Sequence, residues 1–447
     1  MPTAAARGAT DGKLEALLAL QATLLETTAA WARGARLGPE VAAARREALQ
    51  LNHQRYAALV PSYRAFAEQQ GATGPVPLEV IVNGLMLHEL FKSYDPAWLA
   101  AGDFEAMTGW LGSVCTRAPG IETSGIADLG TWRDRLRSKG LFLSFSSGTS
   151  GRMSFVPRDL PTWKALVTNG SSYTDETWRT APDGERLEFD CLVLGPRSGG
   201  MGILDAGAGL ARTATRSHFL FDRVLTADAV RELGRVSGDA GPAPPAAADV
   251  PDLEETYARA FAFVRGSRDE GRRMLIFGAP FQAQRFCERI AASWGLLPAP
   301  AGSLLVTGGG WKSFRGARLS RPELLRLARA TLGIEPSRCI DAYSTSELNS
   351  TFSTCREGRY HIPPLVEAVV LDEALLGEVG RSGFGTLGFL DPFAASYPGF
   401  VISGDQALLS QGECACGLSG MFIEGEIERA SGLEVRGCGG VLESITV

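Results

Sequence analysis

Residues 141–152 read Leu141-Phe142-Leu143-Ser144-Phe145-Ser146-Ser147-Gly148-Thr149-Ser150-Gly151-Arg152. An apolar run that stops at a cluster of Ser, Gly and Thr predicts a buried strand followed by a tight loop. Small residues let successive backbone N–H groups turn toward one anion. The hydroxyls of Ser146, Ser147, Thr149 and Ser150 add donors, and Arg152 and Arg158 add positive charge. A polyphosphate suits such a loop, although a surface turn rich in Ser and Gly has the same composition.

The same texture continues outward from this segment. Apolar runs ending in Gly or a polar cluster recur at 189–195, 273–278, 303–310, 366–372 and 400–405. They alternate with helix-like stretches at 225–236, 253–266, 281–295 and 321–333, which predicts an α/β architecture with buried strands. Strand ends followed by glycine are where α/β folds place ligands. Toward the N-terminus, residues 12–33 and 39–70 carry apolar side chains at helical spacing, with Asp11 and Pro39 as start signals. The Pro/Ala/Gly-biased stretch 237–251 reads as an exposed loop, and there is no internal repeat.

Composition narrows the class. The 447 residues carry 44 Lys plus Arg against 50 Asp plus Glu, a net charge of −6 without the basic excess that a phosphate backbone requires. Nucleic acid is not an expected partner. The uncharged span from Ile290 to Trp311 is broken by Pro298, Pro300 and Gly308 to Gly310, so no transmembrane helix and no membrane partner are expected. Arg7, Asp11, Lys13 and Glu15 stand where a secretory leader needs apolar residues, and the eight cysteines are thinly spread. The expected compartment is the cytoplasm, with reduced thiols.

Several motifs fail on inspection. Gly207-Ala208-Gly209-Leu210-Ala211-Arg212 puts Arg where a dinucleotide fingerprint needs a small residue. His88-Glu89 is followed by Lys92 where a zinc protease needs a second His. There is neither a Gly-x-Ser-x-Gly elbow nor a Walker A sequence.

Two further segments carry chemistry. In Asp341-Ala342-Tyr343-Ser344-Thr345-Ser346-Glu347, a Tyr able to stack on a purine precedes a hydroxyl and a carboxylate able to hold Mg²⁺ against phosphate oxygens. In Ser396-Tyr397-Pro398-Gly399-Phe400-Val401-Ile402-Ser403-Gly404-Asp405, a strand delivers an Asp whose two oxygens match the hydroxyls of a ribose, or satisfy its own turn.

These segments, with Gly308-Gly309-Gly310-Trp311-Lys312 between them, resemble the adenylate-forming superfamily, which activates carboxylic acids with ATP. Within it the chain is most similar to the acyl-protein synthetase of bacterial bioluminescence, then to phenylacetate-CoA ligases. The likeness runs from about Leu51 to the C-terminus through Pro61-Ser62-Tyr63-Arg64, Phe91-Lys92, the glycine segment at 308–312, the segment at 396–400, Cys414-Ala415-Cys416-Gly417 and Glu434-Val435-Arg436-Gly437-Cys438. It implies an N-terminal large domain of packed α/β subdomains plus a small β-rich subdomain over 49–447. Residues 1–48 are expected to be a helical extension without a counterpart, and no full C-terminal lid domain is expected.

Carried over by position, the resemblance implies that Ser146, Ser147, Gly148, Thr149, Ser150 and Gly151 cradle the ATP phosphates and that Gly308, Gly309 and Gly310 flank the adenine. It likewise implies that Tyr343 stacks near the base, Ser346 touches phosphate, Glu347 binds Mg²⁺ and Asp405 binds the ribose. Attack of a carboxylate on the α-phosphorus needs charge neutralisation and alignment more than acid–base help. Two departures stand out. The phosphate loop lacks the lysine common in the superfamily, with Arg152 or Arg158 as substitutes, and the Gly-Arg pair beyond the ribose Asp reads Gly425-Glu426, leaving Arg429 as a displaced candidate. The chain ends nine residues after Cys438 with no lysine beyond Lys312, where most members append a domain whose lysine assists adenylation. The resemblance then points to Cys438 as the thiol that takes the acyl group, beside Arg436; a small buried side chain is the other reading of this Cys.

Cys355 with His361, then Cys414 and Cys416, supply four soft or borderline ligands, the count a structural zinc requires, against a reading as unconnected free thiols. His218, among aromatics, is either a packed side chain or a general base. The expected activity is ATP- and Mg²⁺-dependent conversion of a small carboxylic acid into an acyl-adenylate, with release of pyrophosphate and transfer to a thiol. The acceptor is Cys438 and a partner protein, or else an amine, a hydroxyl or coenzyme A. A nucleotide-binding partner without turnover is the alternative from another class.

Overall fold

A computed structural model of the chain describes residues 4–87, 89–146, 152–181, 183–198, 201–225, 252–311, 316–372 and 380–430. Of the sequence readings above, those on His88, Ser147 to Gly151, the stretches 226–236 and 237–251, Lys312, Arg436 and Cys438 lie outside the described residues. Among the described residues no helix is long and apolar enough to cross a membrane.

The N-terminal helices run Ala4–Ala32, Pro39–Leu59 and Pro61–Gln69. The expected helical stretch 39–70 is broken at Val60, whose backbone is extended (φ −103°, ψ 108°). Pro61 has no N–H for a helix interior, disfavours helical geometry at the residue before it, and is well placed to start the next helix. Residue 48, the expected edge of the N-terminal extension, falls inside Pro39–Leu59. Further on, Asp103, Asp128 and Asp159 each accept a backbone N–H and cap the helices Phe104–Ser113, Leu129–Ser138 and Leu160–Thr174.

Strands β1 (Leu141–Phe145) and β2 (Phe155–Asp159) pair antiparallel, with Phe145 opposite Phe155, and so bracket the expected phosphate loop. The other strands are β3 (Asp190–Ser198), β4 (Arg216–Val224), β5 (Met274–Gly278), β6 (Leu304–Gly308), β7 (Cys339–Tyr343), β8 (Phe352–Thr354), β9 (Tyr360–His361), β10 (Glu367–Leu371), β11 (Gly383–Leu390), β12 (Phe400–Glu413) and β13 (Ser419–Arg429). They form one eleven-stranded sheet in the order β10-β11-β12-β13-β9-β8-β7-β6-β5-β3-β4. From β4 to β7 all neighbours are parallel; from β7 to β10 all are antiparallel. The fold is therefore α/β with a β-rich part, as expected, and the two parts share a continuous ladder.

The parallel half is buried on both faces, as such sheets require. Leu192 and Leu194 face a core with Phe261, Phe286 and Leu332 on the helices Leu253–Asp269, Pro280–Trp294 and Arg321–Leu332, while Cys191 and Val193 face the helix Gly202–Thr213. That last helix contains the glycine-rich motif rejected above as a fingerprint, and packing explains its composition. A Cβ on Gly207 would lie 3.1 Å from Val193 and 3.2 Å from Phe277, so glycine lets this helix sit close against the sheet.

The loop 391–399, between β11 and β12, is held from the N-terminal helices. Gln21 Nε2 and Asn52 Nδ2 both donate to Pro392 O at 2.8 Å, Arg55 Nη1 donates to Ala395 O at 2.9 Å, and the Tyr56 hydroxyl donates to Ala394 O. Gly399 closes this loop with no room for a side chain, since a Cβ would meet Ala394 Cβ at 2.4 Å and Asp391 O at 3.0 Å. Gly399→Ala should therefore lower stability by roughly 1–3 kcal/mol, the usual range for overpacking. Denaturant midpoints measure this, and an unchanged midpoint would mean that the loop yields freely.

Candidate nucleotide site and metal cluster

The C-terminal ends of the parallel strands β6 and β7 carry the glycine segment and Tyr343. Gly308 pairs with Ala342 across the ladder, and the chain leaves β6 through Gly309 (φ +79°) and Gly310 (φ +66°), both left-handed. A Cβ on Gly309 would approach Ile203 Cδ1 to 2.9 Å. Only glycine adopts such a pair of angles readily in so close a space.

From the antiparallel half, β12 delivers Asp405 directly opposite Arg429 on β13. Tyr343 Oη donates to Asp405 Oδ2 at 2.8 Å, and Arg429 Nη1 donates to Asp405 Oδ1 at 2.7 Å and to Ser403 O at 3.2 Å. Burial, and then the Asp405 charge, push the Tyr343 phenol well above its ordinary value, so it remains a protonated donor. Arg429 is raised despite its burial, because the charge of Asp405, with smaller help from Tyr343 and Glu347, favours the cation. Thus Tyr343 and Glu347 share one electrostatic neighbourhood with Asp405 and Arg429, which lie some sixty to eighty residues further along the chain. Each carboxylate oxygen of Asp405 has one of its two lone pairs engaged by protein, which leaves acceptor capacity for further hydroxyls.

Ser346 and Glu347 form a half-buried turn after β7. At the end of β1, Ser146 exchanges two bonds with Ser154: its N–H donates to Ser154 O at 3.1 Å, and its Oγ accepts from Ser154 N at 2.9 Å. These close the base of the expected phosphate loop. Arg152 is exposed, whereas Arg158 is fully buried and bonded to Ser346 O and Asn349 Oδ1. Sequence alone presents Arg158 as a source of phosphate charge, gives no signal for Asn349 or Asp391, and marks Tyr397 only as part of its segment. No spacing rule links these four residues, which meet through tertiary packing.

The second cluster lies on the antiparallel half. Cys355, His361, Cys414 and Cys416 place one ligand atom each within 4.8 Å of one another. Cys355 Sγ and Cys414 Sγ are 3.9 Å apart, and Cys416 Sγ lies 3.3 Å from His361 Nε2. Tetrahedral zinc with Zn–S bonds near 2.3 Å separates two sulfurs by about 3.8 Å, so this donor set fits the ion in chemistry and spacing. Burial lowers His361 to about 4, which keeps its imidazole neutral, the form a metal ligand needs. Trp31, on the first helix, meets the His361 ring edge-on at 6.2 Å and donates from Nε1 to Ser419 O at 2.7 Å. His218, by contrast, stacks on Phe263 at 5.6 Å and is lowered by burial, consistent with its packed reading.

The architecture is similar to that of adenylate-forming ligases. A 2-hydroxyisobutyryl-CoA ligase, solved with 2-HIB-AMP and CoA in the thioesterification state, superposes with a TM-score of 0.56 at 16% identity, over 90% of this chain and 70% of the ligase. Its open conformation gives a TM-score of 0.54 at 15% identity, over 87% of this chain and 70% of that one. The chain thus shares its fold with this ligase. Residues 248–446 match the family described as acyl-protein synthetase, LuxE. The long-chain-fatty-acid–luciferin-component ligase of Aliivibrio fischeri is 27% identical over 161 residues, covering 36% of this chain and 42% of the relative. The ligase of the same description from Vibrio harveyi is 26% identical over 170 residues, covering 38% and 45%. The chain is similar to the acyl-protein synthetases in this C-terminal segment, and the match spans less than half the length of these two curated relatives. The expected phosphate loop, residues 146–151, lies outside the segment that matches the family.

Proposed function

We propose that the chain uses ATP to convert a small carboxylic acid into an acyl-adenylate, releasing pyrophosphate, and then passes the acyl group to a thiol. The observation that carries this reading is the meeting of Tyr343, Asp405 and Arg429 beside the Ser346-Glu347 turn, at the strand ends where α/β sheets bind nucleotides. In this reading Asp405 accepts the ribose hydroxyls, Gly309 and Gly310 let the base approach the backbone beside Tyr343, and Ser146 to Gly151 with Ser346 hold the phosphates. Glu347 holds Mg²⁺, which neutralises phosphate charge. The carboxylate oxygen of the acid forms a bond to the α-phosphorus, and the bond from that phosphorus to the bridging oxygen breaks, with pyrophosphate leaving. The Cys355, His361, Cys414 and Cys416 set holds a structural zinc. Acid-dependent exchange of labelled pyrophosphate into ATP, screened over aliphatic and aromatic acids, tests the first half-reaction; no exchange with any acid would overturn it.

For the second half-reaction, the thiolate of Cys438 attacks the acyl carbon and AMP leaves. Cys438→Ser should keep pyrophosphate exchange but lose the hydroxylamine-labile acyl-enzyme. Intact mass after incubation with acid and ATP measures this. Continued turnover by a wild-type chain that never gains the acyl mass would remove Cys438 from the mechanism.

A further inference from the structure

Arg158 is a fully buried guanidinium whose hydrogen bonds converge on one turn. Its Nε donates to Asn349 Oδ1 at 2.7 Å, and its Nη2 reaches Ser346 O at 2.7 Å, Leu348 O at 3.1 Å and Tyr397 Oη at 3.2 Å. The Tyr397 hydroxyl in turn donates to Glu347 O at 2.8 Å and accepts from Asn349 Nδ2 at 2.9 Å. Three successive peptide carbonyls, those of Ser346, Glu347 and Leu348, are therefore held by one arginine and one phenol. Asn349 N donates to Asp391 Oδ2 at 2.7 Å and fixes the next peptide. The Arg158 guanidinium also lies over the Tyr397 ring, 5.3 Å from its centroid.

Desolvating a guanidinium is costly unless its N–H groups find partners, and a space-filling role would be met by an apolar side chain. Here Nη2 is spent on the backbone of the turn that carries Ser346 and Glu347 and Nε on the Asn349 side chain that follows it, while Nη1 is buried with no partner among the described residues. Arg158 itself belongs to β2, the strand that follows the expected phosphate loop, so the contact ties that loop's scaffold to the turn. We propose that Arg158 and Tyr397 are positioning residues for adenylation, which clamp the carbonyls of residues 346 to 348 and so fix the side chains of Ser346 and Glu347 for phosphate and metal. This rests on the adenylation reading above.

The test compares wild type with Tyr397→Phe, Arg158→Lys and Arg158→Met in pyrophosphate exchange, titrating Mg²⁺ at saturating ATP and, separately, the acid. Melting curves are read alongside. A clamp predicts a half-saturating Mg²⁺ concentration raised by about ten-fold or more, a KM for the acid within about two-fold of wild type, and recovery of much of the rate at high Mg²⁺. Arg158→Lys, which keeps the charge but not the fork, should fall between wild type and Arg158→Met. If Arg158→Met does not fold, Tyr397→Phe, which removes a single oxygen, decides. Tyr397→Phe with wild-type Mg²⁺ dependence would overturn the clamp alone. Absence of exchange by wild type, or an unaltered Mg²⁺ dependence in Glu347→Gln, would overturn the adenylation-site reading and the clamp with it.

Discussion

Asp405→Ala and Glu347→Gln should each lower acid-dependent pyrophosphate exchange by at least ~100-fold, which corresponds to about 2.7 kcal/mol of lost transition-state stabilisation. The two losses have different causes. Asp405 is the shared acceptor of Tyr343 and Arg429, so its removal leaves a phenol and a guanidinium without their 2.8 and 2.7 Å bonds as well as depriving the ribose of an acceptor. A hydrogen bond to a charged group contributes about 1.5–3 kcal/mol, so loss of this carboxylate alone reaches the expected size. Glu347→Gln keeps the shape and removes only the charge that would hold the metal, and it should leave the melting temperature close to that of wild type. Asp405→Ala should lower it. Near-wild-type exchange in both variants would refute the assignment of the nucleotide site.

Most of the parallel half is legible in the sequence because β3, β5 and β6 begin in apolar runs closed by glycine, whereas β4, Arg-Ser-His-Phe-Leu-Phe-Asp-Arg-Val over 216–224, mixes polar and apolar residues and carries no such mark. The run Leu141 to Phe145, outside that sheet, matches β1 residue for residue, and the runs at 273–278 and 303–310 contain β5 and β6. The antiparallel half is less legible, for a physical reason. β13, Ser-Gly-Met-Phe-Ile-Glu-Gly-Glu-Ile-Glu-Arg over 419–429, is buried only from Met421 to Ile423 and is of mixed polarity beyond, so no long apolar run marks it. The helix Gly202–Thr213 is hidden by its glycines, which lower helix propensity but are required where Gly207 meets Val193 and Phe277. Among the candidate site residues, Tyr343 and Glu347 stand out because they close or follow the short strand β7, and Asp405 because it follows the apolar step Phe400 to Ile402 within β12. The direct pairing of Asp405 with Arg429 depends on the register of β12 against β13, and the linkage of Arg158 to residues 346–349 on contacts nearly two hundred positions apart in sequence; neither leaves a local pattern.

Loss of the metal should be the largest stability effect in the molecule. Elemental analysis of protein purified without chelator should show about one zinc per chain, and Cys414→Ser should lose both metal and folded yield. Structural zinc sites contribute on the order of 10–16 kcal/mol of apparent binding energy, comparable with the roughly 5–15 kcal/mol by which a whole domain is stable. The site's position explains why that energy would reach far. Cys355 follows β8, His361 ends β9, and Cys414 and Cys416 lie between β12 and β13, so one ion bound there would join the connections of four strands. Trp31 docks the first helix on the same spot through His361 and Ser419 O. Chelation should therefore lower the melting temperature and expose Trp31, read as a red shift of tryptophan emission. Cys287→Ser, a buried thiol on the helix Pro280–Trp294, serves as the control and should retain the metal. Metal-free wild-type protein whose melting curve does not change on chelation would return the four side chains to the status of packed thiols and an imidazole.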